Sequence, residues 1–517
     1  MTGRAVVTPH RLSAQAARQL LEKGGNAVDA AIAAVAAQGV VAPETCGLGG
    51  DLFALIHRPG WDRPRALNAS GRAGSGADPE LLRSRGHTEV PRDHPLTVTI
   101  PGCVDGLVAL DDELGELGLA ACLAPAITLA EEGFEVSTEQ ARAFALMAPV
   151  YRDNPAVAEF YPGGQPVSRG DHLRRPNLAA TLRLIAEGGR DAFYGGPPGE
   201  DIVAAVGGLI TSGDLARSQA EWVDPIAAEV AELVAWTVPP NSQGYLGPGT
   251  LAVFERLNPP SDPEDPLWWH LLIEAYRCLA WERNDLVADP NNLALPAHLL
   301  LDGSRLERAA KTISRDRAGL WPRTPSAPAS TAYLCAADHD GLAVSIIQSN
   351  YRGTGSPFGA ARSGFVLQDR GGGFSLTPGH PNELGPDKRP LHTLSPTLWT
   401  QGDQPRWLLG ARGGAVQPQL IAQVAARAIL DSTPLEVAQA APRWTVPAFG
   451  PGEPSRLRLE PGIPDRVAEG LADRGHAVDI LDGPQPGWGP LSIIELDGTR
   501  RRAAPDPRVD TTAAMVF

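Results

Sequence analysis

The chain has 517 residues, of which 43% are hydrophobic and 20% charged, with a formal net charge of −15 and a sequence pI near 5.2. That balance excludes wholesale disorder, and it leaves nucleic acid and anionic membranes, which need a basic face, outside the expected partners. A small-molecule role is the expectation.

In chain order, the first residues carry no apolar export segment and pass into an amphipathic helix over 11–23. Gly24-Gly25 closes that helix and Asn26 caps the next. The run "AVDAAIAAVAAQGVVAP" is shorter than the roughly 20 residues that span a bilayer and contains Asp29, so it reads as a buried helix. The glycines of "TCGLGGDLFALIH" complete no phosphate-binding spacing and read as points of close backbone packing. From 101 to 289, helical patterns such as "LAPAITLAEEGFEV" and "DPLWWHLLIEAYRCLAWERNDL" alternate with Gly- and Pro-rich connections. His270 and Glu274 lie four apart on the second of these, but no third ligand has matching spacing, so no metal is expected there, and no cofactor. Cys46, Cys103, Cys122, Cys278 and Cys335 are odd in number and lack a C-x-x-C, and they read as reduced thiols of a cytoplasmic protein.

The stretch "PRTPSAPASTAYLCAADHDGLAVSIIQSN", 322–350, changes character within a few residues. A Pro- and Ser-rich segment runs to Ser330. A strand then starts at Thr331, turns at His339 to Gly341 and returns through "LAVSIIQS". "GFVLQDRGGGFS", "KRPLHTLSPTLW" and "RWLLGARGGAV" follow as further strand candidates, then a helix at "PQLIAQVAARAILD" and strands near "SIIEL" and "GTRRRAA". The whole reads as a mixed α/β layered fold. No G-x-S-x-G elbow or H-E-x-x-H motif is present. Cleavage between Ser330 and Thr331 would expose a threonine whose α-amine, with a pKa of about 7.7–8.0, can act as base for its own hydroxyl. On these residues alone a plain loop-to-strand junction remains the simpler reading.

The chain resembles the γ-glutamyltranspeptidase family of N-terminal-nucleophile hydrolases, through motifs that follow one another in the family's order along almost its whole length. These include "GGNAVDAAIAAVAAQGVVAPETCGLGGDLFALIH", "IPGCVDGL", "DAFYGG", "PPNSQG", "TAYLCAADHDGLAVS", "GPDKRPLHTLSPTLW" and "GARGGAV". The resemblance implies a four-layer αββα sandwich. It also implies a precursor that cuts itself into a large subunit, 1–330, and a small one, 331–517, which together form one domain, with pairing of two such heterodimers as a further expectation. Thr331 would be both nucleophile and processing residue. Gly413 and Gly414 would supply oxyanion-hole amides, and Ser349 or Asn350 would hydrogen-bond beside the nucleophile. Arg72 would meet a substrate carboxylate, and His392 and Thr393 stand where a serine pair is usual.

The departures from the family point to the substrate. Thr331-Ala332-Tyr333 keeps the first hydroxyl of a usual T-T-H and loses the second. Arg370 and Gly373 stand where a glutamine and an amine-binding aspartate are usual, so a cation-compatible pocket becomes anion-compatible. Arg352, Arg362 and Arg412 lie on neighbouring stretches, and together these arginines imply a small acidic substrate with more than one carboxylate. The motifs are also similar to those of an offshoot that serves alkylproline-type antibiotic biosynthesis by hydrolysing a carbon–carbon bond to release an oxalyl group. Ordinary γ-glutamyl hydrolysis or transfer, and an uncut, non-catalytic binding protein, are the alternatives.

Overall fold

The computed structural model describes residues 3–321, 330–446 and 456–517; the linker expected over 322–329 lies outside them. Two antiparallel sheets form the centre. The first has seven strands in the order Ala513–Val516, Ala5–Thr8, Ser330–Ala337, Ala343–Tyr351, Asp51–His57, Arg65–Ala69 and Glu221–Val223. The second has six, in the order Arg500–Ala504, Leu491–Asp497, Gln404–Ala411, Thr397–Gln401, Leu233–Thr237 and Ile226–Val230.

Side-chain alternation along these strands explains the layering, because successive residues face opposite sides of a sheet. On Ser330–Ala337, Tyr333, Cys335 and Ala337 join Phe53, Leu55, Leu398, Leu408 and Ile494 in an apolar cluster between the sheets. Leu334 and Ala336 face the other way, onto the helices Arg11–Glu22, Ala27–Val41, Cys103–Leu114 and Leu119–Glu132. Outside the second sheet, Leu409, Ala411 and Ile493 pack against Leu246–Arg256, Pro266–Ala280 and Gln417–Ala425. The result is the expected αββα order. Gly410 lets the sheets approach, since a Cβ there would lie 2.3 Å from the Tyr333 ring.

Local signals behave as their chemistry predicts. The first helix ends at Gly24, whose φ is 92°, and Asn26 caps the next helix reciprocally with Asp29. The turn after Ala337 has Gly341 at φ 85° and Asp338 Oδ1 accepting from the Asp340 and Leu342 N–H groups. The expected strand in "GFVLQDRGGGFS" shrinks to Phe365–Val366, followed by a single helical turn at Arg370–Gly373, because three successive glycines offer no side chains to pack on a sheet. His270 bonds His476 Nε2 and the Ser314 carbonyl, and Glu274 pairs with Arg277. All five cysteines are buried and unpaired. Among the described residues no helix is long and apolar enough to cross a membrane.

Candidate active site

Thr331 is fully buried in the second position of its strand, and alternation turns it toward the second sheet. Its neighbour across the hairpin lies at a break in the register. Ala332 pairs with Gln348 and Ser330 with Tyr351, so the chain bulges between these pairs, beside Thr331. The Thr331 and Ser349 hydroxyl oxygens are 3.4 Å apart. Ser349 Oγ donates to the Ser330 carbonyl at 2.7 Å and accepts from the Tyr351 N–H at 2.8 Å. Asn350 faces the opposite side of the sheet, where its amide donates to the Thr354 carbonyl. Of the two neighbours named from sequence, the structure brings Ser349 to Thr331.

The second sheet supplies the opposite wall. Strand Gln404–Ala411 ends in Gly413, at φ 135°, and Gly414, at φ 58°, before the helix Gln417–Ala425. Both values lie in the left-handed region, where glycine avoids the Cβ clash. The N–H groups of Gly413 and Gly414 have no hydrogen-bond partner among the described residues. Gln243 fixes this loop by donating to the carbonyls of Thr393 and Gly414 at 3.2 and 3.1 Å, and Arg283 holds Gln243 at 2.7 Å. Gln417, which the sequence reading did not single out, donates to Thr331 Oγ1 at 3.3 Å. A weak signal was present: the helix start "QPQLIAQ" has three glutamines among apolar residues, and all three are buried.

Next to Ser330, on the strand pairing it, begins a charged, buried cluster of side chains. Tyr351, opposite Ser330 in the strand register, adopts φ 77°, a costly conformation for an aromatic residue. Its ring lies 3.9 Å from the Arg370 guanidinium carbon. Arg370 is fully buried and donates Nη1 to Thr393 Oγ1 at 3.2 Å. Its Nε and Nη2 have no partner among the described residues. Burial lowers its pKa to about 10, against the opposing pull of Tyr351, Asp51 and Asp369. His392 donates Nε2–H to Asp51 at 2.9 Å while its Nδ1 accepts from the Leu394 N–H. Burial first, and Arg370 next, lower its pKa to about 3, so the ring is neutral. Asp51 also accepts from the Gly71 N–H and the Gln368 amide, each at 2.8 Å.

The other arginines are already paired. Arg72 binds Glu221 and lies 3.5 Å from Asp387. Arg352 is held by Asp369 at 2.9 Å, Arg362 by Asp201 at 2.6 Å, and Arg412 by Glu139. Among the arginines singled out from sequence, Arg370 is the one with no ion pair to a carboxylate among the described residues, and Arg352 keeps a buried Nη2 without a hydrogen-bond partner there. Gly373 packs so closely that a Cβ would sit 2.8 Å from the Leu391 carbonyl oxygen, which leaves no room for the aspartate usual at that position.

The family model for gamma-glutamyltranspeptidase matches residues 13–516. The chain belongs to the gamma-glutamyltranspeptidase family. It is thus a hydrolase or transferase built on the N-terminal-nucleophile fold. It is 34% identical to a glutathione hydrolase-like proenzyme, YwrD, of Bacillus subtilis strain 168, covering 100% of this chain and 99% of that protein. It is 35% identical to an oxamate amidohydrolase proenzyme of Klebsiella pneumoniae subsp. pneumoniae, covering 98% and 97%. The crystal structure of a cephalosporin acylase from Bacillus halodurans superposes with a TM-score of 0.91 at 33% identity, covering 99% of this chain and 96% of that one.

Proposed function

We propose that this member of the family cuts itself between Ser330 and Thr331 and then hydrolyses a small acyl compound that bears a carboxylate beside its reacting carbonyl, of the oxalyl or oxamate type. The observation that carries the substrate reading is Arg370, a buried guanidinium whose Nε and Nη2 have no partner among the described residues and which stacks on Tyr351, the residue paired with Ser330. Leaving such donors unpaired is costly, and a substrate carboxylate would satisfy them in the forked geometry that arginine offers. The relationship to an oxamate amidohydrolase supports the same class.

In the precursor, the Thr331 hydroxyl oxygen attacks the Ser330 carbonyl carbon. Its proton passes to Ser349 Oγ while the Ser349 proton moves to the carbonyl oxygen, along the two contacts already formed. Expulsion of the Thr331 nitrogen leaves an ester, and water releases the Ser330 carboxylate and a free Thr331 α-amine. In the mature enzyme that amine takes the hydroxyl proton, and the Gly413 and Gly414 N–H groups receive the substrate oxyanion. Residues 1–330 and 331–517 become the large and small subunits. Cleavage of a carbon–carbon bond beside an oxalyl carbonyl would use the same carboxylate anchor and nucleophile.

The glutathione hydrolase-like relative favours a second reading, γ-glutamyl hydrolysis, and the crowding at Gly373 opposes it. The test compares release of ammonia from oxamate with release of nitroaniline from a γ-glutamyl anilide. Faster oxamate turnover that depends on Arg370 is expected; efficient γ-glutamyl release without oxamate turnover would overturn the proposal.

A further inference from the structure

We infer that Gln417 is a catalytic residue: its side-chain N–H holds the nucleophilic oxygen itself, a role distinct from those of Ser349 and the glycine amides. The inference rests on the reading of Thr331 as nucleophile. Gln417 is fully buried at the first position of its helix, directly after the Gly413-Gly414 turn. Both ends of its amide are assigned. Oε1 accepts from the Ser395 N–H at 3.0 Å, and a backbone N–H can only donate, so Nε2 is the end that faces Thr331 Oγ1 at 3.3 Å.

A threonine oxygen carries one proton and two lone pairs. Here the proton is directed to Ser349 and one lone pair is occupied by Gln417, which leaves a single lone pair for carbon. A hydroxyl that would otherwise rotate is fixed. As Thr331 Oγ1 attacks, it bears positive charge until its proton reaches Ser349; when the ester is later hydrolysed, the same oxygen departs with developing negative charge. A preorganised N–H aimed at that oxygen stabilises the departing form, without reorganisation, at each turnover. Ser395 stands two residues from Thr393, which binds Arg370, so one short loop sets both the nucleophile's donor and the carboxylate anchor.

Self-cleavage tests this without any knowledge of the substrate. The full chain is made by cell-free synthesis, synthesis is stopped, and the product is moved to buffers from pH 5 to pH 8.5 while cleavage is followed by electrophoresis. Gln417→Met should slow cleavage by about tenfold to a hundredfold at every pH. Gln417→Glu should be as slow at pH 8 but recover toward pH 5, where the protonated carboxyl regains a donor; the wild type should show no such recovery. If Gln417→Met loses the wild-type melting temperature, Gln417→Asn, whose amide is drawn back by one methylene, replaces it. Cleavage within twofold of wild type at pH 8 in a folded variant overturns the inference. So does a Gln417→Glu protein that stays slow at pH 5, because that outcome marks a packing role. Thr331→Ala is run in parallel: if it still cleaves, the nucleophile reading itself has failed, whereas an intact Thr331→Ala beside fast Gln417 variants removes only the role of Gln417.

Discussion

The two sides of Thr331 differ in how fully their polar groups are used. On the Ser349 side, Thr331, Ser349, Gln417 and the Ser330 carbonyl bond one another within the chain. On the Arg370 side, two buried N–H groups have no partner among the described residues and Tyr351 is held at φ 77°. A device that acts on its own chain must be complete before any substrate arrives. A pocket that binds a substrate must keep donors in reserve, and a buried cation kept that way lowers stability.

Ser349 carries the largest expected effect. Removing the hydroxyl in Ser349→Ala takes away the relay between Thr331 and the Ser330 carbonyl, and self-cleavage, timed by electrophoresis, should fall by about a hundredfold or more. Arg370→Met should reverse that pattern. It should lower kcat/KM on oxamate by about tenfold to a hundredfold yet leave self-cleavage within about twofold, because the precursor peptide brings no carboxylate to that pocket. Parallel losses in both assays would merge the two sides into one.

A smaller effect sharpens the contrast in stability. Replacing a buried, partly unpaired guanidinium by an apolar side chain should raise the unfolding free energy by about 1–3 kcal/mol, measured by denaturant titration. Oxalate should raise the melting temperature of the wild type and leave that of Arg370→Met unchanged. A destabilised Arg370→Met would mean that Tyr351 and Thr393 already satisfy the arginine.

The smallest expected effect concerns His392. Its pKa in the folded chain lies near 3, below the ordinary value of 6.5, so the folded state holds it neutral while the unfolded chain takes up a proton as pH falls below 6.5. Its contribution to stability is therefore complete above pH 6.5 and is lost progressively as pH falls toward 3. His392→Gln should flatten the decline in melting temperature between pH 6.5 and 4.5. On the proposed mechanism the acid limb of turnover belongs to the Thr331 amine, at about 7.7–8.0, and it should keep its midpoint in that variant.

Much of the fold was legible because its signals are local. The Asn26 cap, the turn at Gly341 and the strand that opens at Thr331 each rest on a few adjacent residues. Ser349 and Asn350 were not separable in sequence, since Ile346 and Ile347 are equally apolar and the pairing shifts by one residue between Gln348 and Tyr351. The partners of the charged groups were not legible. Arg72 meets Glu221 and Asp387, Arg362 meets Asp201, and His392 meets Asp51, all from distant parts of the chain. Nothing in a single sequence reports such encounters, so five arginines looked equally available where four are ion-paired.

Intact mass and N-terminal sequencing of the purified wild type beside Thr331→Ala show where the chain is cut and which residue cuts it. Two wild-type fragments are expected, the smaller beginning at Thr331, and one uncut Thr331→Ala chain of 54.5 kDa. A small fragment that begins at another residue, or cleavage that persists in Thr331→Ala, would contradict self-cleavage by Thr331.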